Sequence, residues 1–203
     1  DFHPIHIHAT YDKYRLEMQK FFAWRTARGI VAPWFPNETA LTCVNGQERA
    51  AARDVWRKIL YGWAHGAVSH SWYQLRSDGD NPKSHGDNYG LMTRRFYPRY
   101  TYAAFAALTD IFEGLDADGT VHETDKRKLF RYRGKNQKGT IDGIVLAGWD
   151  RGIEQEWTMQ IATDAECAEL SDHMGNRTEI EIRDGVVLFR GAFAPRALIL
   201  QGA

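Results

Sequence analysis

Trp34-Phe35-Pro36-Asn37-Glu38-Thr39 and, further on, His70-Ser71-Trp72-Tyr73-Gln74-Leu75-Arg76-Ser77-Asp78-Gly79 decide how this chain is read. Each stretch starts as a short apolar strand and ends in polar side chains with chemical uses. A helix-length amphipathic segment, about Gln47 to Ala64, lies between them. Strand, crossover helix, strand is the grammar of a parallel sheet. Chemistry gathered at the C-terminal strand ends is how a (β/α) barrel builds its site.

The pattern extends in both directions. Residues 3–9 alternate with period two, placing His6 and His8 on one face and Ile5 and Ile7 on the other. Residues 12–28 read as a helix with Leu16, Phe21 and Trp24 as its apolar face, closed by Gly29. Ile30–Phe35 is then a second buried strand. The helix at 47–64 carries Ala51, Val55, Ile59 and Trp63, and Ala67–Leu75 is a third strand. Strands buried on both faces by their crossovers follow from this order. A loop rich in Gly, Asp, Asn and Lys spans 77–88, and Pro98 opens a helix over 99–113.

The rhythm changes near Asp116-Ala117-Asp118-Gly119, which is turn chemistry. Beyond it, short alternating runs at 128–132, 143–149, 156–162, 179–182, 186–189 and 197–201 predict an antiparallel sandwich or small barrel. The fold class expected is therefore α/β plus all-β. A partial (β/α) TIM barrel occupies residues 1–117 and a small antiparallel β-sandwich occupies 118–203.

Composition excludes several functions. The 203 residues are 43% hydrophobic and 26% charged, with zero formal net charge. That is an ordinary globular balance with no polyanion-binding surface, so nucleic acid is not an expected partner. No segment has the roughly 20 apolar residues of a membrane span, and Asp1-Phe2-His3-Pro4 is not a signal peptide. An opening inside a strand is expected of a chain cut from something longer. Two cysteines, Cys43 and Cys167, make no disulfide framework and leave the compartment open. Seven tryptophans serve either as core or as stacking surfaces for apolar ring faces such as those of sugars.

Among candidate site residues, Glu38 stands where a barrel strand delivers a carboxylate to the site mouth. Such a group can attack an anomeric carbon, stabilise an oxocarbenium ion or bind a metal; the alternative is a loop acid. His70 and Trp72 share one face of the third strand. There Trp72 can floor a sugar ring, with Gln74 and Arg76 as hydroxyl-binding donors, or simply fill the core. His6 and His8 permit a rival reading, a metal-dependent hydrolase with His70 as third ligand. Histidines on a half-buried strand are more often hydrogen-bonded, and no metal or other cofactor is assigned. The 78–82 loop lacks the ligand spacing of a calcium loop, and Lys126-Arg127-Lys128 with Arg131 and Arg133 reads as a solvated face.

Taken together, Trp72–Gly79, Asp87-Asn88-Tyr89-Gly90-Leu91 and Pro98-Arg99-Tyr100-Thr101-Tyr102-Ala103-Ala104 resemble the end of a clan A glycoside hydrolase barrel. Pro33–Thr39 is similar to strand seven of that clan, which ends in the nucleophilic glutamate, and His3–Thr10 resembles strand six. The C-terminal part, with Asp172-His173-Met174-Gly175-Asn176 and Ala194–Leu200, resembles the β-sandwich of family 39-like and some family 5-like enzymes. The resemblance implies a retaining hydrolase of β-glycosidic bonds in oligo- or polysaccharides. Glu38 would be its nucleophile, and His6, His8, Trp34, His70, Trp72, Gln74 and Arg76 would line the carbohydrate. It gives no compartment, although a secreted or periplasmic parent fits. Two departures stand out. Tyr97-Pro98-Arg99-Tyr100 is a looser entry to helix eight than the family shows. The acid/base glutamate after an Asn in strand four has no counterpart, leaving Asp78, Asp80 and Asp87 as formal candidates. The expected partners are therefore a carbohydrate and a missing N-terminal barrel half or complementary chain, without which the piece is inactive. The remaining alternative is a non-catalytic carbohydrate-binding or interaction module.

Overall fold

The computed structural model describes residues 2–152 and 156–202. It divides into two compact units, the first running to Phe105 and the second starting at Ala106. The first unit is mixed α/β, and the second is built on a six-stranded antiparallel sheet. The division falls inside a helix, ahead of the junction placed at 117 from turn chemistry. The Asp116–Gly119 stretch lies instead within a strand that is irregular between Ala117 and Thr120.

In the first unit β1 (His3–His8) and β2 (Trp34–Ala40) pair in parallel, connected by helix α1 (Tyr11–Ala27). Helix α2 (Glu48–Ala64) follows a short 3₁₀ turn at Val44–Gly46. The segment expected as a third strand runs parallel to β2 as isolated bridges at Trp34–Ala67 and Thr39–Trp72 rather than as a continuous strand. Between these points Ser71 N donates to Pro36 O at 2.9 Å. Pro36 has no N–H to return, so the ladder is interrupted there.

Helix α1 buries a different face from the one expected. Tyr11, Tyr14, Arg15 and Met18 are enclosed, whereas Leu16 and Trp24 are exposed. The aromatic positions win because α2 offers partners for them. Tyr11 meets Tyr61 edge-on at 5.9 Å, and Arg57 lies over the Tyr11 ring. Helix α2 is enclosed along most of its length, from Ala51 to Gly62. Asp54 accepts from Tyr11 N at 2.8 Å, and Trp56 Nε1 donates to Ala104 O at 2.8 Å.

Helix α3 (Tyr100–Phe112) leads into the second unit. There β3 (Leu115–Glu123), β4 (Arg127–Lys135), β5 (Asp142–Asp150), β7 (Cys167–Asp172), β8 (Arg177–Ile180) and β10 (Arg196–Gln201) form the six-stranded sheet. Its order is β3-β4-β5-β10-β7-β8. β6 (Trp157–Ala162) and β9 (Val186–Gly191) form a separate antiparallel pair. Trp157, Val187 and Phe189 of that pair share one core with Leu129, Leu146, Leu198 and Leu200 of the sheet. Sequence alternation missed β3 and β7. β3 is a mostly exposed, polar edge strand, and Cys167-Ala168-Glu169-Leu170 has helix-favouring composition overruled by pairing with β10 and β8. Both cysteines are free thiols, and no helix among the described residues is long and apolar enough to cross a membrane.

Candidate functional site

The decisive local feature is an irregularity in β2. Pairing runs His3–Trp34, Pro4–Phe35, Ile5–Pro36 and then skips to His6–Glu38, leaving Asn37 as an extra residue. Such a bulge re-aims the side chains that follow it. In an unbroken register Asn37 would stand beside His6. With the bulge, Glu38 does.

Glu38 therefore sits between two imidazoles. Its Oε2 is 3.5 Å from His6 Nδ1 and its Oε1 is 3.1 Å from His8 Nε2. The two rings stack, with centroids 4.7 Å apart and 19° between planes. Exposure grades across the group. The side chain of His6 is 56% exposed, Glu38 32% and His8 19%. Burial lowers the His8 pKa below its ordinary value; the Glu38 carboxylate opposes this, and His6 and Lys58 reinforce it. At neutral pH His8 is thus a neutral imidazole whose Nε2 faces a carboxylate.

Two aromatic residues that sequence reasoning passed over complete the wall. Tyr89 lies 4.9 Å and Tyr73 5.4 Å from the His8 ring, and the two tyrosines meet edge-on at 5.9 Å. The chain after the 3₁₀ turn at Gly86–Asn88 positions Tyr89. Asn88 Nδ2 donates to Asn81 O and Ser84 O, both at 2.7 Å, while its Oδ1 accepts from Arg99, which also pairs with Glu48 at 2.7 Å. Gly90 then passes so close to the third segment that a Cβ there would lie 2.2 Å from Ser77 N.

Lys58 underlies the group. It is fully buried, and its Nζ donates to Ala9 O and Ala40 O, the carbonyls just beyond His8 and Thr39. One ammonium therefore ties together the C-terminal ends of β1 and β2. Burial pulls its pKa down to about 8, with Asp54 opposing. A lysine in mid-helix reads as solvated, so sequence gave no signal of this role.

The other predicted residues are placed differently. His70 Nε2 lies 2.7 Å from Thr39 Oγ1, and its Nδ1 is enclosed without a partner. Burial, reinforced by Lys58, lowers its pKa to about 3. It stays outside the group formed by His6, His8 and Glu38, so the hydrolase reading with His70 as third metal ligand loses its geometry. The Lys58 ammonium lies over the Trp72 indole at 5.4 Å, and the indole Nε1 is enclosed. Gln74 Nε2 is enclosed as well, and Arg76 stacks on Phe96 at 5.1 Å. Trp34 is buried at the other end of β2, against Phe21 and Phe22, and belongs to the core. Apolar strand-start residues fill space; position along the strand, not residue type, separates Trp34 from Glu38. The loop acids are also engaged. Asp78 accepts from Tyr73 Oη, Asp80 pairs with Arg95 and Asp87 accepts from Asn81 N.

No protein-family model and no curated protein matches the chain. Solved structures do. A family 39 glycoside hydrolase from Bacteroides cellulosilyticus WH2 superposes with a TM-score of 0.68 at 19% identity, covering 84% of this chain and 34% of that one. A family 51 alpha-L-arabinofuranosidase from Bifidobacterium longum gives 0.58 at 12% identity, covering 99% and 53%, and another arabinofuranosidase 0.60 at 13%, covering 98% and 52%. The chain spans from a third to about half the length of these proteins. Its fold is similar to that of a portion of glycoside hydrolases of families 39 and 51.

Proposed function

We propose that this chain is the nucleophile-bearing portion of a retaining glycoside hydrolase that cleaves β-glycosidic bonds. In this reading the first unit supplies strands six to eight of a (β/α)₈ barrel and the second is its β-sandwich. Glu38 attacks the anomeric carbon to form a glycosyl-enzyme. His8, and His6 at the rim, orient the carboxylate and hold its charge. Tyr73 and Tyr89, packed beside His8, line the sugar.

The observation that carries the reading is the bulge at Pro36-Asn37, which turns one carboxylate into a pair of histidines at the C-terminal ends of parallel strands. Catalytic groups of barrels collect at that rim. A retaining mechanism needs a second carboxyl about 5–5.5 Å from the first, as acid and then base. Asp78, Asp80 and Asp87 are committed to other partners, so the acid/base belongs to a further barrel half, in the same protein or a complementary chain. Among the described strands β1 pairs only with β2, and its other edge has backbone groups to offer such a half.

The test is Glu38→Gln in the complete enzyme, assayed on activated aryl glycosides together with covalent trapping by a 2-deoxy-2-fluoro glycoside. Turnover should fall by about three orders of magnitude or more, and the trap should label Glu38. Unchanged turnover, or a label elsewhere, removes Glu38 from this role.

A further inference from the structure

We propose that His6, His8 and Glu38 form a binding site for a borderline divalent transition cation, with zinc the best fit. Two imidazole nitrogens and one carboxylate are the donor set such ions select, whereas calcium and magnesium require shells of oxygen. The three donor atoms all lie within 4.8 Å of one another.

The separations match what a cation needs. Bonds of about 2.0–2.1 Å arranged tetrahedrally put neighbouring donors about 3.3 Å apart. Glu38 stands 3.1 Å from His8 Nε2 and 3.5 Å from His6 Nδ1. Those two edges already bracket that value. The remaining one, between the imidazoles, closes by rotation of His6 out of its stack on His8, a movement its more than half exposed side chain has room to make. The same exposure gives the ion an entry path and leaves a coordination position for water. On the inner side, Tyr73 and Tyr89 hold His8 in place.

The arrangement of the chain explains why the donors converge. Positions 6 and 8 of one strand project to the same face, and the β2 bulge adds Glu38 from the neighbour at the same level. Neither strand alone supplies all three donors. If Glu38 is the nucleophile proposed above, a bound cation covers the attacking oxygen, so zinc would suppress glycoside hydrolysis. That consequence rests on the proposed function; the binding itself does not.

The experiment titrates zinc into the 203-residue chain by calorimetry and follows cobalt substitution by its visible absorption. We expect one equivalent bound, a tetrahedral cobalt spectrum, and affinity weakened more than about tenfold by each of His6→Ala, His8→Ala and Glu38→Gln. His6→Ala is the decisive variant, because an exposed side chain can be removed without unfolding the protein. Far-UV circular dichroism checks that fold. Absence of saturable one-equivalent binding, or wild-type affinity in His6→Ala, overturns the site. Zinc binding by a protein whose trapped glycosyl residue is not on Glu38 would sink the nucleophile reading and leave the cation site intact. A labelled Glu38 in a protein that binds no zinc would do the reverse.

Discussion

Replacing Lys58 by methionine is the sharpest probe of how the two strand ends are held together. Methionine keeps the length and packing of the side chain but removes the charge and the donors to Ala9 O and Ala40 O. Burial moves the ammonium from its ordinary 10.5 to about 8. At about 1.4 kcal/mol per pH unit, folding thus disfavours the charged form by about 3 kcal/mol. The sign follows from linkage. Between pH 8 and 10.5 the unfolded chain keeps the proton and the folded chain has released it, so this group makes wild type more stable as pH rises through that window. Below pH 8 both states are protonated and the contribution is at its minimum. Urea denaturation of both proteins at pH 7 and pH 10 isolates the effect, because tyrosines and cysteines titrate in both. Wild type should gain about 2–3 kcal/mol over the variant between the two pH values. At pH 7 the variant is released from the desolvation cost, but the buried Ala40 carbonyl and the half-buried Ala9 carbonyl lose their donor at about 1–3 kcal/mol each. The net change there is small. A wild-type minus variant difference that stays flat from pH 7 to pH 10 would refute a buried, charged Lys58.

The same logic applies in acid to His70, whose pKa is lowered to about 3. Its contribution is complete above about pH 6.5, the unfolded value, and is lost as pH falls from there towards 3. His70→Gln, which can still pair with Thr39, should flatten the wild-type loss of stability between pH 6 and 4 in urea titrations; an unchanged slope would count against burial of the ring. Gly90→Ala places a methyl 2.2 Å from Ser77 N and 2.4 Å from Met92 O. It should cost more than about 2 kcal/mol and loosen Tyr89 from His8, seen as an altered tyrosine near-UV signal, whereas a neutral effect would refute the close approach. In the second unit, Asn136 donates to Asp110 O and Thr140 Oγ1 and accepts from Thr140 N and Ile141 N, all between 2.9 and 3.0 Å. Asn136→Ala should therefore destabilise by about 2–4 kcal/mol in thermal or urea unfolding, and a loss below about 1 kcal/mol would show that water replaces the side chain.

Much of the architecture is local information. Period-two alternation at residues 3–9 and the helical runs at 12–28 and 47–64 set out parallel strands joined by crossover helices, because side-chain direction repeats with backbone geometry. His6 and His8 share a face for the same reason. Glu38 was recognisable as a strand-end carboxylate from its place after Pro36-Asn37. Sequence could not say which helix face would be buried, since Leu16 and Trp24 are as apolar as any core residue and lie exposed. That choice belongs to α2, which supplies partners for Tyr11 and Tyr14.

The site itself was settled in three dimensions. One extra residue in β2, invisible to any periodicity, decides that Glu38 and not Asn37 meets the histidines. Tyr73, Tyr89 and Lys58 reach the same place from separate segments, and their roles depend on neighbours distant in the chain. Alternation and turn residues report the backbone path because they are properties of adjacent residues. Convergence of a carboxylate, two imidazoles and a buried ammonium is a property of register and packing, and only the folded chain holds it.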